Sequence, residues 1–99
     1  MRLAYHPKAH SDVDGILDYY ENVVGQHMAD DFYAELRRSI AVALERPTSF
    51  SIRYADLQLR RVNLLRFPYH FLFRVDGDTV KIVVVRHHRQ HPDLGIRRR

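Results

Sequence analysis

The spacing of apolar residues changes once along this chain, at Pro47, and that change limits the fold more than any other feature. From Pro7 to about Val24, apolar residues fall at Ala9, Val13, Ile16, Leu17, Tyr20 and Val24. Steps of three and four mark an amphipathic helix, with Asp12, Asp14, Asp18 and Glu21 on its wet face. Pro7 suits a first helical turn and Gly25 a stop. A second helix is expected from about His27 to Glu45, with Ala29, Phe32, Tyr33, Leu36, Ile40, Ala43 and Leu44 as its stripe. Pro47 ends it. A connection this short makes the pair an antiparallel hairpin over about 7–45.

Beyond Pro47 the period becomes two. Leu57 to Leu65, Phe67 to Val75 and Thr79 to Arg86 read as strands, a sheet core over about 57–86. Asp76-Gly77-Asp78 is the tight turn between the last two. Phe67, Tyr69, Phe71, Phe73 and Val75 share one face, and His70, Leu72 and Arg74 the other. In the last strand Val80, Ile82 and Val84 alternate with Lys81, Val83 and Val85. Apolar on nearly both faces, it should be central in the sheet. Leu3-Ala4-Tyr5 adds an opening strand that His6-Pro7 ends. The order is β-α-α-β-β-β: an α+β fold, a small mostly antiparallel sheet with a helical hairpin packed on one face. The 99 residues allow a single domain over 1–99. Two helices shield one side only, so the other side is expected to expose residues such as Leu59, Arg61 and Asn63, or their neighbours one step along, a natural surface for a partner.

The charge is polarised. Residues 1–45 carry four basic and eight acidic side chains, a net of −4, and residues 46–99 carry twelve and four, a net of +8. The asymmetry is compatible with an anionic partner and with solvated arginine on strand faces alike. The basic tail over 93–99, ending Ile96-Arg97-Arg98-Arg99, reads as mobile. Without cysteine there are no disulfides, no thiol chemistry and no Cys-type zinc site. No apolar run reaches the ~20 residues that span a bilayer, and the opening residues have no hydrophobic segment of signal-peptide length. The expectation is a soluble, cytoplasmic protein that needs no membrane.

Two stretches carry candidate chemistry. Arg60-Arg61-Val62-Asn63-Leu64-Leu65-Arg66-Phe67-Pro68-Tyr69 places three arginines within seven strand-like positions, which favours an anionic contact. Alternation sends Arg60 and Arg61 to opposite faces, Arg61 to the open one and Arg60 over the sheet edge. Pro68 fixes where its strand begins. His87-His88-Arg89-Gln90-His91-Pro92 holds side chains suited to proton transfer near neutral pH. Cleavage of RNA through a 2′-hydroxyl would draw on Arg61 for phosphate charge, with His87 and Tyr69 in acid–base roles. Zinc at His87, His88 and His91 is disfavoured, since neighbours this close diverge, so no metal and no cofactor is assigned. Asp14 and Asp18, four apart, read as a wet helix face, and Tyr19 and Tyr20 as packing.

Taken in order, several of these pieces resemble the ParE/RelE superfamily of toxins from type II toxin–antitoxin (plasmid stabilisation) systems. They are His6-Pro7-x-Ala9-x-x-Asp12, Tyr19-Tyr20, Phe32-x-x-x-Leu36, Pro47, Arg61…Arg66-Phe67-Pro68-Tyr69 and Val85-x-His87-x-Arg89-x-x-Pro92. The resemblance runs over roughly residues 3 to 95 and implies the same β-α-α-β-β-β fold. Gln90 stands where the family often has a second arginine, and Gly95 where it often has tryptophan. Lysine is confined to Lys8 and Lys81, and no tyrosine follows Tyr69, which places the chain closer to ParE than to the ribosome-dependent RelE nucleases. The resemblance then implies a toxin that inhibits DNA gyrase by binding, held by a cognate ParD-like antitoxin with an acidic amphipathic segment. The alternatives are a ribosome-dependent mRNA endonuclease and a non-toxic binding module of the same fold. Residues expected at the target or partner are Arg61, Arg66, Tyr69, His87 and Arg89.

Overall fold

The computed structural model describes residues 1–99, and it lays two helices on one face of a five-stranded open sheet. Strand β1 (Arg2–Tyr5) leads into α1 (Pro7–Tyr19). His6 caps the helix: its Nδ1 accepts the Lys8 amide at 3.0 Å, and Pro7 takes the first helical position, where a missing N–H costs nothing. The helical run reaches Val24 as its spacing predicts, but its last part is not α-helical. Tyr20–Val24 form a π-helical turn, closed by the Gly25 amide donating to the Tyr20 carbonyl at 2.7 Å. Gly25 leaves this turn with φ 141°, a region that favours glycine. Helix α2 (Gln26–Glu45) then runs to the Pro47–Ser49 turn.

The strands are β2 (Ile52–Tyr54), β3 (Leu59–Asn63), β4 (Tyr69–Asp76) and β5 (Thr79–His87). Alternation alone did not reveal β2, which is three residues long. The expected strand from Leu57 shortens because Ala55–Leu57 coil into a 3-10 turn. The expected start at Phe67 moves to Tyr69, because Pro68 has no N–H for the ladder. The sheet order is β1-β5-β4-β3-β2, with β1 parallel to β5 and every other pair antiparallel. The central strand is β4 and not β5 as expected; β5 lies one place from the edge, flanked by β1 and β4, which still buries both of its faces.

The helix-facing core joins Ala9 and Val13 of α1 and Phe32, Leu36, Ile40 and Ala43 of α2 to Val62, Phe71, Phe73, Val80, Ile82 and Val85 of the sheet. Burying a side chain such as Phe32 contributes about 1.5–3 kcal/mol over leaving it in water, so this face carries most of the fold's stability. Tyr33 departs from its expected stripe and is 44% exposed.

Three expectations fail for tertiary reasons. First, β5 does not alternate regularly. A bulge at Val83 makes Phe73 pair with Ile82 but Leu72 with Val84. Val85 therefore faces the helices, and Val83 and Val84 both face away. Second, the far side is not open. Leu59, Leu72, Val83 and Val84 are fully buried there under Ile96, with Tyr54 and Leu57 at the margin. Third, the basic tail is not free. Arg98 grips the Asp12 carboxylate through both terminal nitrogens, at 2.7 and 3.3 Å. Asp12, placed on the wet face with Asp14 and Asp18, also accepts the Val85 amide at 3.0 Å.

Candidate functional site

All five expected site residues gather at one end of the sheet, where β3 and β5 finish and β4 begins, but the sheet divides them between two faces. On the helix face, Tyr69 and His87 are cross-strand partners. Their rings meet edge to face with centroids 5.1 Å apart. Tyr69 also packs on Phe32 and Tyr20. Burial raises the Tyr69 phenol, and burial together with Tyr69 pushes Tyr20 up to about 12, so both stay protonated near neutrality. His87 Nδ1 accepts the Arg89 amide at 3.0 Å, and the His87 amide donates to Gln90 Oε1 at 2.8 Å. Gln90 thus serves as a turn cap. An open cavity of about 310 Å³ lies here, lined by Tyr19, Tyr20, Val24, Pro68, Tyr69 and His87. The Arg89 side chain is exposed.

Arg66 sits on the 64–68 loop. The buried Glu35 carboxylate accepts the Leu65 amide at 2.6 Å and the Arg66 amide at 3.3 Å, which holds the loop tip outward. The Arg66 guanidinium lies 3.5 Å from Asp31 and over the Phe67 ring.

Arg61 is on the other face, opposite Leu72, while Arg60 pairs with Phe73 on the helix side and donates to the Phe50 carbonyl at 2.6 Å. The two arginines therefore part as strand alternation requires. Arg61 joins a network that sequence reasoning did not assemble. Arg86, only 2% exposed, donates Nε–H to His70 Nε2 at 2.9 Å. Its Nη1 serves the carbonyls of Pro92 and Leu94 at 2.8 and 2.7 Å, and its Nη2 the Tyr54 hydroxyl at 3.0 Å. His70 stacks on His88, Nδ1 to Nδ1, at 3.0 Å, and Arg61 Nη2 reaches the same His88 nitrogen at 3.3 Å. Asn63 Oδ1 accepts Arg61 Nε–H at 2.8 Å.

Only one proton arrangement satisfies these contacts. Arginine can only donate, so His70 Nε2 and His88 Nδ1 are acceptors and His70 Nδ1 carries the proton. Burial, then the charges of Arg61 and Arg86, hold His70 neutral and push its pKa down to about 3. His88 is lowered by burial and by Arg61. The Nδ1 atoms of the loop histidines are engaged: His87 Nδ1 by the Arg89 amide, His88 Nδ1 by its two donors, and His91 Nδ1 by the Asp93 amide at 3.0 Å. One signal for this network stood in the sequence, the period-two grouping of His70 with Leu72 and Arg74. The bulge hid the other, as it alone puts Arg86 opposite His70.

The sequence profile of the ParE toxin of type II toxin–antitoxin systems, parDE, matches residues 3–92. No curated protein matches the chain by sequence. Among solved structures, the chain is similar to the chromosomal ParDE TA system from P. aeruginosa, with a TM-score of 0.76 and 24% identity over 88% of this chain and 95% of that one. That likeness is one of fold: the same helical pair on the same kind of sheet. With the profile spanning nearly all of its elements, this chain belongs to the ParE toxin family of type II toxin–antitoxin systems.

Proposed function

We propose that this toxin acts in the cytoplasm by binding DNA gyrase, without catalysis of its own, within a plasmid-stabilisation type system. One observation carries the choice of binding over RNA cleavage. The sheet separates Arg61 from Tyr69 and His87. Cleavage through a 2′-hydroxyl needs base, acid and cation around one phosphate, and Arg61 points away from the Tyr69–His87 pair, on the opposite face of the sheet. No helix is long and apolar enough to cross a membrane.

A cognate antitoxin neutralises the toxin by crossing from the hairpin to the sheet edge, as a helix followed by an extended stretch. Support comes from an apolar groove of about 500 Å³ between β1 and α2, which includes Leu3, Tyr5, Tyr33, Ile40 and Leu44. It lies beside β1, whose outer edge is unpaired.

Expression without antitoxin tests the mode of action. A DNA-damage response with intact mRNA, and inhibited supercoiling by purified gyrase, are expected. Purified toxin leaves naked RNA uncut. Rapid mRNA loss with undamaged DNA, abolished in His87→Ala, would put the ribosome-dependent nuclease in place of this reading.

A further inference from the structure

The large apolar side chains left in water are not spread evenly. Tyr19, Val23 and Val24, each more than half exposed, end the first helical arm, and Leu65, 95% exposed, tips the 64–68 loop. The loop packs on that arm. The Phe67 ring meets Tyr20 at 5.6 Å, and Pro68 lines the cavity of about 310 Å³ together with Tyr19 and Val24. Single exposed apolar residues are ordinary, but four on two touching elements make a patch.

Both elements turn these side chains outward by their backbones. Helical spacing places Val24, four residues after Tyr20, on the buried stripe, and the wider π-helical turn carries it into solvent instead. In the loop, Leu64 and Phe67 are buried anchors, and the Leu64 amide donates to the Tyr69 carbonyl at 3.0 Å. Buried Glu35 then accepts the Leu65 amide at 2.6 Å. A carboxylate buried to fix the backbone of an exposed leucine pre-organises that side chain, which lowers the ordering cost of an interface.

Charge and topology select the partner. No carboxylate or guanidinium lines the cavity. At the margin, Arg66 and Arg89 on the strand side are balanced by Asp31 and exposed Glu21 on the helix side. A patch that is apolar at its centre with both signs around it gives a polyanion no advantage and fits another protein. Nor is it the groove offered to the antitoxin. Tyr33, Arg37, Ile40 and Leu44 of α2 line the groove at β1, whereas Asp31 and Glu35 hold the loop between β3 and β4 from the other flank of the same helix.

We infer that Tyr19, Val24 and Leu65 form the apolar centre of the surface by which the toxin docks on its target enzyme. An apolar side chain of the enzyme enters the cavity at Tyr19 and Val24, and Leu65 inserts into the enzyme in return. The inference rests on the reading that the toxin acts by binding a protein.

The test uses the whole chain, purified gyrase and the cognate antitoxin. Val24→Ser and Leu65→Ser should each raise the toxin concentration that half-inhibits supercoiling about tenfold, the double variant more, and cells expressing them should survive. Antitoxin affinity should stay within about twofold, since the groove is untouched. Val75→Ser, at an exposed position at the other end of β4, should act as the unmodified toxin does. Leu65→Ser alters a side chain that supports nothing and should melt normally, so it decides the matter if Val24→Ser fails to fold. The Leu65 amide should exchange slowly with solvent, and exchange at the rate of a free loop would overturn the pre-organised tip. A folded double variant that inhibits and kills like the unmodified toxin would overturn the surface. An equal loss of antitoxin affinity would assign it to the antitoxin, and a dimer of the unmodified chain that the double variant dissolves would assign it to a second copy. A toxic chain that leaves gyrase active would end the gyrase reading alone, and the toxicity of the variants would then decide the surface. A chain neither toxic nor bound by gyrase would overturn both.

Discussion

His70 shows what one residue can commit a fold to. It is 2% exposed and lies against Arg86 and His88, with Arg61 beyond. No carboxylate answers these charges, so a second positive charge on His70 is excluded from the native state. The unfolded chain has no such constraint and takes up the proton near 6.5, while the folded chain resists it down to about 3. The unfolded state therefore binds more protons throughout that window, and stability falls as pH drops through it. Each pH unit below 6.5 costs about 1.4 kcal/mol from this group, so about 2–3 kcal/mol is gone by pH 4.5. Above pH 7 it contributes no slope. His70→Asn keeps an acceptor for Arg86 and should flatten the dependence between pH 7.5 and pH 4.5, read from urea unfolding at both. An unchanged slope would place the acid sensitivity elsewhere. Arg60 and Arg61 differ as sharply. Arg60→Ala strips a hydrogen bond to the Phe50 carbonyl and should lower stability by about 1 kcal/mol with toxicity kept. Arg61→Ala should leave the melting temperature close to normal and weaken toxicity. Toxicity lost with Arg60 and kept without Arg61 would reverse the functional assignment of the two sheet faces.

Among the elements, the C-terminal segment is the one that changes how the sheet works. It lays Ile96 over Leu59, Leu72, Val83 and Val84 and so provides a second small core. Arg86 holds it by its carbonyls, and Arg98 ties it to Asp12 of α1. Gly95 makes the close approach possible. Its φ is 79°, and a Cβ there would sit 2.8 Å from Val84 Cγ2. Gly95→Ala combines backbone strain with overpacking and should cost about 2–4 kcal/mol. Ile96→Ala should cost about 2–5 kcal/mol by leaving a cavity over Val84. Both are measurable by chemical denaturation, and wild-type midpoints would mean that the tail is not docked in solution. The Pro68 and Glu35 pair works on the other side: one delays β4, the other clamps the loop so that Leu65 and Arg66 stand outward.

At the scale of the molecule, the two ends of the sheet differ in character. The β1 edge with the α2 groove is apolar, and the opposite corner around Arg61 is cationic. An antitoxin that uses the groove gains mainly from apolar burial, at about 25 cal/mol per Å², whereas exposed ion pairs add about 0–1 kcal/mol each. Binding of the antitoxin should then fall only partly in high salt, while Leu3→Asp and Tyr33→Asp, at exposed residues of the groove, should each weaken it strongly, as titration calorimetry would show. A complex lost at moderate salt would mean that charge, not apolar burial, holds the two proteins together. Contacts confined to the acidic face of α1 would rule out the crossing mode.

The sequence by itself determined the element order apart from the three-residue β2, because helical and strand spacing are local and Pro47 separates them cleanly. It determined that Phe71 and Phe73 share one face of their strand, and that Arg60 and Arg61 part company, because side-chain alternation is a property of one strand. What it did not determine is cross-strand register. A regular hairpin from the Asp76–Thr79 pair would set Tyr69 opposite Arg86 and His70 opposite Val85; the bulge at Val83 sets Tyr69 opposite His87 and His70 opposite Arg86 instead. A one-residue slip of this kind is invisible in the spacing of either strand, since it is chosen by how Val83, Val84 and Val85 pack on opposite sides of the sheet. Only the tertiary structure decided that slip, and with it the tail that Arg86 holds in place and the corner that Arg61 shares with His88.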